Sequence, residues 1–168
     1  QKNESAGNYR VNVEGHGADY SWKQTHDVDA GMYHDGGVLF TQIGSIYDEL
    51  GSKHQEEASA YISYFNGSYN GNTYSIKNVE IDSKSTLVGL FGALIGADVR
   101  NVILYSENGN YIQRNAASPR SWYALGGLCG LAATGTGENA SDTKVSNCTV
   151  SGYTIRDNST KSAWGDGN

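Results

Sequence analysis

Three hexads along the chain repeat one order of apolar and polar positions. Ile76-Lys77-Asn78-Val79-Glu80-Ile81, Val99-Arg100-Asn101-Val102-Ile103-Leu104 and Val145-Ser146-Asn147-Cys148-Thr149-Val150 each read apolar, polar, Asn, apolar, variable, apolar. The first two start 23 residues apart and the second two 46, twice that spacing. A second motif falls between them: Val88-Gly89-Leu90-Phe91-Gly92 returns as Gly126-Gly127-Leu128-Cys129-Gly130. Short strands and Gly/Asn/Ser/Asp turns at such a period form units that cannot bury an apolar face alone, so each must stack on its neighbours. The pattern predicts an all-β solenoid with coils of about 23 residues, each of two strands and two turns, interrupted by insertion loops.

The rhythm divides the chain into three parts. Residues 1–19 are polar and Gly-rich and read as an N-terminal extension or cap. Residues 20–155 carry the coils, with strands expected near 20–30, 38–46, 61–69, 74–81, 86–94, 98–106, 122–132 and 144–155. The charged stretch 47–58 reads as an insertion loop, and 107–121, with the lone Pro119, as an irregular coil or a loop. Residues 156–168 read as a tail or linker, with Trp164 available to dock on an open end.

Composition agrees with a turn-rich β protein: 22 Gly against one Pro, 12 Tyr and 18% charged residues in 168. One domain with a real core fits this length. The formal net charge of −6 and the lack of any basic cluster argue against nucleic acid or anionic membranes as partners, because phosphate contacts need grouped Lys and Arg. No apolar run approaches a membrane span, so no membrane insertion is expected. Cys129 and Cys148 fall on strands of one coil in this scheme, as two buried thiols or as one disulfide.

Asp27-Val28-Asp29, Gln42-Ile43-Gly44-Ser45, Phe65-Asn66-Gly67-Ser68-Tyr69-Asn70-Gly71-Asn72, Ile76-Lys77-Asn78-Val79 and Gly89-Leu90-Phe91-Gly92 follow one another in that order. Together they closely resemble the GLUG-type repeat family, over roughly residues 20 to 155. The chain departs from that pattern in Gln42 where Pro is common, Asn70 where Asp is common, and Cys129 in place of Phe. The resemblance implies a right-handed parallel β-helix of the kind found in secreted or wall-attached bacterial surface proteins and adhesins, usually without catalysis. In such a fold Ile76, Val99 and Val145 would share one row along the axis, and Val79, Val102 and Cys148 another. Asn78, Asn101 and Asn147 would then form an asparagine stack whose amides bond one another.

Other residues offer chemistry. Gly15-His16-Gly17 resembles a catalytic signature of polygalacturonases, which share the β-helix architecture, but their carboxylate segments have no counterpart here, and glycoside hydrolysis needs paired carboxylates. Asp27 and Asp29, with Asp19 or Asp35 nearby, are the candidate oxygen ligands for Ca²⁺, although alternating strand residues face opposite ways. His16, His26, His34 and His54 lack zinc-site spacing. Tyr61, Tyr64, Tyr105, Tyr111, Trp122 and Tyr123 are candidates for a glycan-stacking or interface surface, set against a role in core and edge shielding.

The reading as a whole is a non-catalytic extracellular or cell-surface structural or adhesion module. The expected partners are either further copies of itself stacked head to tail or neighbouring repeats of a longer chain, with glycans or a host surface protein as further candidates. No cofactor is expected. The alternative is a polysaccharide-binding or polysaccharide-degrading β-helix protein.

Overall fold

The computed structural model describes residues 2–3, 8–9, 21–31, 42–43, 45–46, 62–115, 123–135 and 141–159. They form an all-β, right-handed parallel β-helix, the hand that parallel crossover connections take. Each full turn visits five faces. The first stacks Ser21–Lys23, Ser68–Asn70, Asp98–Arg100 and Lys144–Ser146. The second stacks Val28–Asp29, Ser75–Lys77, Ile103–Tyr105 and Thr149–Ser151. The third holds Ile81–Ser83, Tyr111–Arg114 and Thr154–Asp157, the fourth Leu87–Val88 and Ala124–Leu125, and the fifth Phe91–Ile95 and Cys129–Ala133. Parallel bridges Ile43 to Phe91 and Phe65 to Leu94 bring the first coil onto the fifth face. Four coils result, and the fourth has only its first three faces among the described residues. Two pairs are antiparallel: Lys2–Asn3 with Asn8–Tyr9, and Ser45–Ile46 with Ile62–Ser63, the Ser45–Ile46 strand lying against Leu87–Val88 and Phe91–Ile95.

The coils are longer than the hexad spacing predicts. On the first face the step from Ser68 to Asp98 is 30 residues and from Asp98 to Lys144 is 46. Val99 and Val145 do lie in register, but Ile76 belongs to the adjacent face and pairs with Leu104. The reason is conformational. Asn78, Asn101 and Asn147 all adopt the left-handed region, with φ of 55°, 55° and 51°, where Asn is tolerated better than other non-Gly residues. The apolar-polar-Asn pattern therefore marks a corner between short strands, and one coil has more than one such corner. Asn101 and Asn147 turn the chain from the first face to the second, whereas Asn78 turns it away from the second. In the fourth coil that second corner is Gly152, with φ 76°, and a Cβ there would collide with the Ser106 backbone.

The core lies in the second and third coils. Val79, Val88, Leu90, Phe91, Leu94, Val99, Val102, Leu104 and Ile112 are almost wholly buried, each contributing about 1.5–3 kcal/mol of apolar burial. Phe65 and Tyr69 pack their rings on Phe91 at centroid distances of 5.3 and 5.9 Å.

Two expectations about boundaries are adjusted. The stretch 107–121 contains a third-face strand, Tyr111–Arg114. That strand pairs with Thr154–Asp157, and Asn158 N–H donates to the Arg114 carbonyl, so the coil continues past residue 155. Residues 47–58 and Trp164 lie outside the described residues.

Candidate functional site at the corners and ends of the stack

The first corner is held by a ladder of side-chain amides. Asn147 Nδ2 donates to Asn101 Oδ1 at 2.7 Å, and Asn101 Nδ2 donates to Asn70 Oδ1 at 2.9 Å. Asn70 Oδ1 also accepts from Asn72 N–H, closing an Asx turn. The third member is thus Asn70 and not Asn78. Asn78 sits one corner further on, where Nδ2 donates to Asp29 Oδ1 and Oδ1 accepts from Glu107 N–H. At the N-terminal end the Gln24 backbone N–H donates to the Asn70 carbonyl, while its side chain bonds outside the ladder. Its Nε2 donates to the carbonyls of His26 and Ser75, and its Oε1 accepts from the Tyr69 hydroxyl.

Asp27 and Asp29 join the first coil to the second. Asp27 Oδ1 accepts from Ser75 N–H at 2.6 Å and from the Ser75 hydroxyl at 2.9 Å, and these two bonds hold its carboxyl below the usual range. The Asn78 amide, followed by Gly31 N–H, does the same for Asp29. Each carboxylate is engaged with protein donors. Among the described residues no three His, Cys, Asp or Glu side chains converge as metal ligands.

The aromatic candidates scatter. Tyr61 and Trp122 lie outside the described residues, as does His16. Tyr64 is half-buried and Tyr105 exposed on the second face. Tyr111 carries the Arg156 guanidinium over its ring at 4.9 Å, and a hydrogen bond to Glu80, with burial, raises its hydroxyl to about 12. Tyr123 is exposed and stacks under Arg114 at 4.8 Å. Among the described residues Tyr64, Tyr105, Tyr111 and Tyr123 stand on different segments of the stack.

Arg114 went unnoticed in the sequence, where it looks like an ordinary charge in a loop. It is 1% exposed. Its Nε donates to the Ser85 carbonyl of the second coil, and one terminal nitrogen, Nη1, donates to the Ser159 hydroxyl and lies 3.7 Å from Asp157. The side chain therefore pins the second, third and fourth coils together. Burial pulls the Asp157 carboxyl up, but the Ser159 donors, Tyr123 and Arg114 outweigh it and leave it lowered.

Cys129 and Cys148 are free thiols, both half-buried and packed on the core cluster from successive coils. Burial, with Cys148 nearby, pushes the Cys129 thiol up. Tyr153 spans the same end: its hydroxyl donates to the Tyr105 carbonyl and accepts from Val79 N–H, and burial raises it to about 12.

Both ends of the stack expose apolar side chains from rows that are buried in the middle. The first-face row runs Trp22, Tyr69, Val99, Val145, with Trp22 58% and Val145 44% exposed while Val99 is fully buried. On the third face Ile81 and Ile112 are buried, but their row-mate Ile155 is 45% exposed. Comparison with family models, with curated proteins and with solved structures finds no match.

Proposed function

We propose that the chain is a non-catalytic structural module of an extracellular or cell-surface protein, a β-helix of GLUG-type repeats that joins to others by stacking coil on coil, head to tail. The observation that carries this reading is made among the described residues: rows that are core in the middle coils are exposed at Trp22 and Val28 on one end and at Val145 and Ile155 on the other. Exposed strand edges and apolar rows invite addition of a further strand or coil. A heterologous contact of this kind does not close on itself and yields a fibre.

The chemistry of the candidate residues supports a structural role. Asp27, Asp29 and Asn78 hold coil to coil, while Tyr111 and Tyr123 are paired with arginines of the same chain.

Negative-stain microscopy with light scattering on a sizing column tests the reading. Regular filaments or concentration-dependent oligomers are expected, and a strict monomer at all concentrations refutes the stacking. Turnover of acidic or neutral glycans that is abolished by Asp27→Ala or His16→Ala would replace it with an enzyme.

A further inference from the structure

At the C-terminal end the register changes the size of the side chains on two faces. On the fourth and fifth faces the third coil places Ala124, Cys129 and Ala132 where the second coil has Leu87, Phe91 and Leu94. Three large buried side chains are thus followed by three small ones. Among the described residues nothing pairs with the outer edges of Ala124–Leu125 and Cys129–Ala133. Leu125, Leu128, Cys129 and Val150 are left half-buried beside exposed Val145 and Ile155. Val150 and Ile155 close over Gly127, where a Cβ would meet Val150 Cγ1 at 2.6 Å and Ile155 Cδ1 at 3.3 Å.

The N-terminal end carries the converse shape. Trp22 occupies the row position of Tyr69, whose ring packs edge-on against Phe91 from the first face. A coil added to the C-terminal edge in the register that the coils already use would set Trp22 of the added copy above Val145, on the side where Cys129 has replaced Phe. The same register sets its Val28 above Val150 and its Asp27 above Thr149, a hydroxyl donor where Ser75 serves the same carboxylate within one chain.

We infer that Trp22 of one copy is a knob that fills the hollow lined by Leu125, Leu128, Cys129, Val145, Val150 and Ile155 at the C-terminal end of a second copy. The inference rests on the stacking reading above and names its contact. The Gln24 amide is already engaged within its own chain, by His26 and by Ser75 and Tyr69 of the second coil, so the junction depends on the indole and the backbone edges and not on continuation of the asparagine ladder. A buried Trp anchor carries a disproportionate share of interface energy.

The test uses three proteins under reducing conditions, with thermal melts to establish folding: the parent, Trp22→Ala, which keeps an intact hollow, and Ile155→Asp, which keeps an intact knob. By sedimentation velocity the parent polymerises, and each variant alone self-associates at least about 30-fold more weakly, the effect of losing a 2 kcal/mol anchor. An equimolar mixture of the two variants restores one junction and stops at the heterodimer. If the parent polymerises and both variants still do so at the parent's concentration, the knob and hollow are wrong while stacking survives. A parent that stays monomeric removes both. Tryptophan emission gives a measure that needs no destabilising variant. A blue shift on assembly that is lost in Trp22→Phe supports the contact, and a shift retained in Trp22→Phe overturns it.

Discussion

Substitution of Asn101 by Ala acts on the middle rung of the corner ladder, and its cost follows from two contributions. The side chain gives one hydrogen bond to Asn70 and takes one from Asn147, both at a corner that solvent reaches. Each is worth about 0.5–1 kcal/mol there. Ala must also hold φ near 55°, which costs a Cβ-bearing residue about 1–2 kcal/mol, part of which Asn already bears. The total is about 2–3 kcal/mol, or a fall in Tm of roughly 5–10 °C for a chain of this size. A double-mutant cycle sharpens the result. Asn101→Ala and Asn147→Ala should couple by about 0.5–1 kcal/mol in urea unfolding, because they share a bond. Asn78→Ala and Asn101→Ala should add within about 0.3 kcal/mol, because they sit at different corners. Coupling between Asn78 and Asn101 with none between Asn101 and Asn147 would refute the ladder and the coil register together.

Arg114→Met keeps much of the apolar stem but withdraws the donors to Ser85 and Ser159 and the cation beside Asp157; a loss of about 3 kcal/mol in urea unfolding is expected, with Arg114→Lys failing to rescue it because ammonium cannot fork to both coils. Thr73 is an exposed β-branched residue at φ 67° beside Asn72 at 53°, so Thr73→Gly should stabilise by about 1 kcal/mol, and a lowered Tm would contradict the turn geometry. Alkaline pH should weaken the fold: Tyr153 is raised to about 12 against an ordinary 10.0, so its contribution is complete below pH 10 and lost as pH climbs through 12. The loss should flatten in Tyr153→Phe when unfolding is followed by circular dichroism. Asp27 and Asp29 are lowered from 3.8, so their bonds persist above that value and are lost as pH falls below it; faster amide exchange at Ser75 in acid, before the Val99 amide is affected, is the expected result.

Much of the architecture was legible because a parallel solenoid repeats its local problem. Each corner needs a residue at positive φ, each short strand needs an apolar row facing inward, and Asn and Val supplied both in Val99-Arg100-Asn101-Val102 and Val145-Ser146-Asn147-Cys148. The same economy misled the coil length. A corner motif is indifferent to which corner it turns, so Ile76-Lys77-Asn78 on the second face reads like Val99-Arg100-Asn101 on the first. Only pairing register tells them apart, and register lives in contacts between residues 28 to 48 apart. Asn70 was hidden for a related reason. Asn70-Gly71-Asn72 satisfies the rules for an isolated turn, and nothing local records that Asn70 Oδ1 also receives an amide from the next coil. Arg114 and Trp22 were the least legible, since burial of a cation and exposure of an indole depend on which coil is last and which is first.

Position along the axis therefore carries information that position along the chain does not. A row in a β-helix is a one-dimensional stack in which interior members are buried by neighbours on both sides and terminal members on one. Val99 and Val145 are the same residue in the same row, yet the first is fully buried and the second 44% exposed. The difference is the absence of one further coil among the described residues, and nothing in the side chain itself. The terminal coils of a self-contained solenoid normally carry polar residues where the rows end. Here the rows end in Trp22 and Val28 on one side and in Val145 and Ile155 on the other, and the side chains next to the second end shrink to Ala and Cys. Among the described residues burial along a row therefore reports how many neighbouring coils a member has, and not the nature of its side chain.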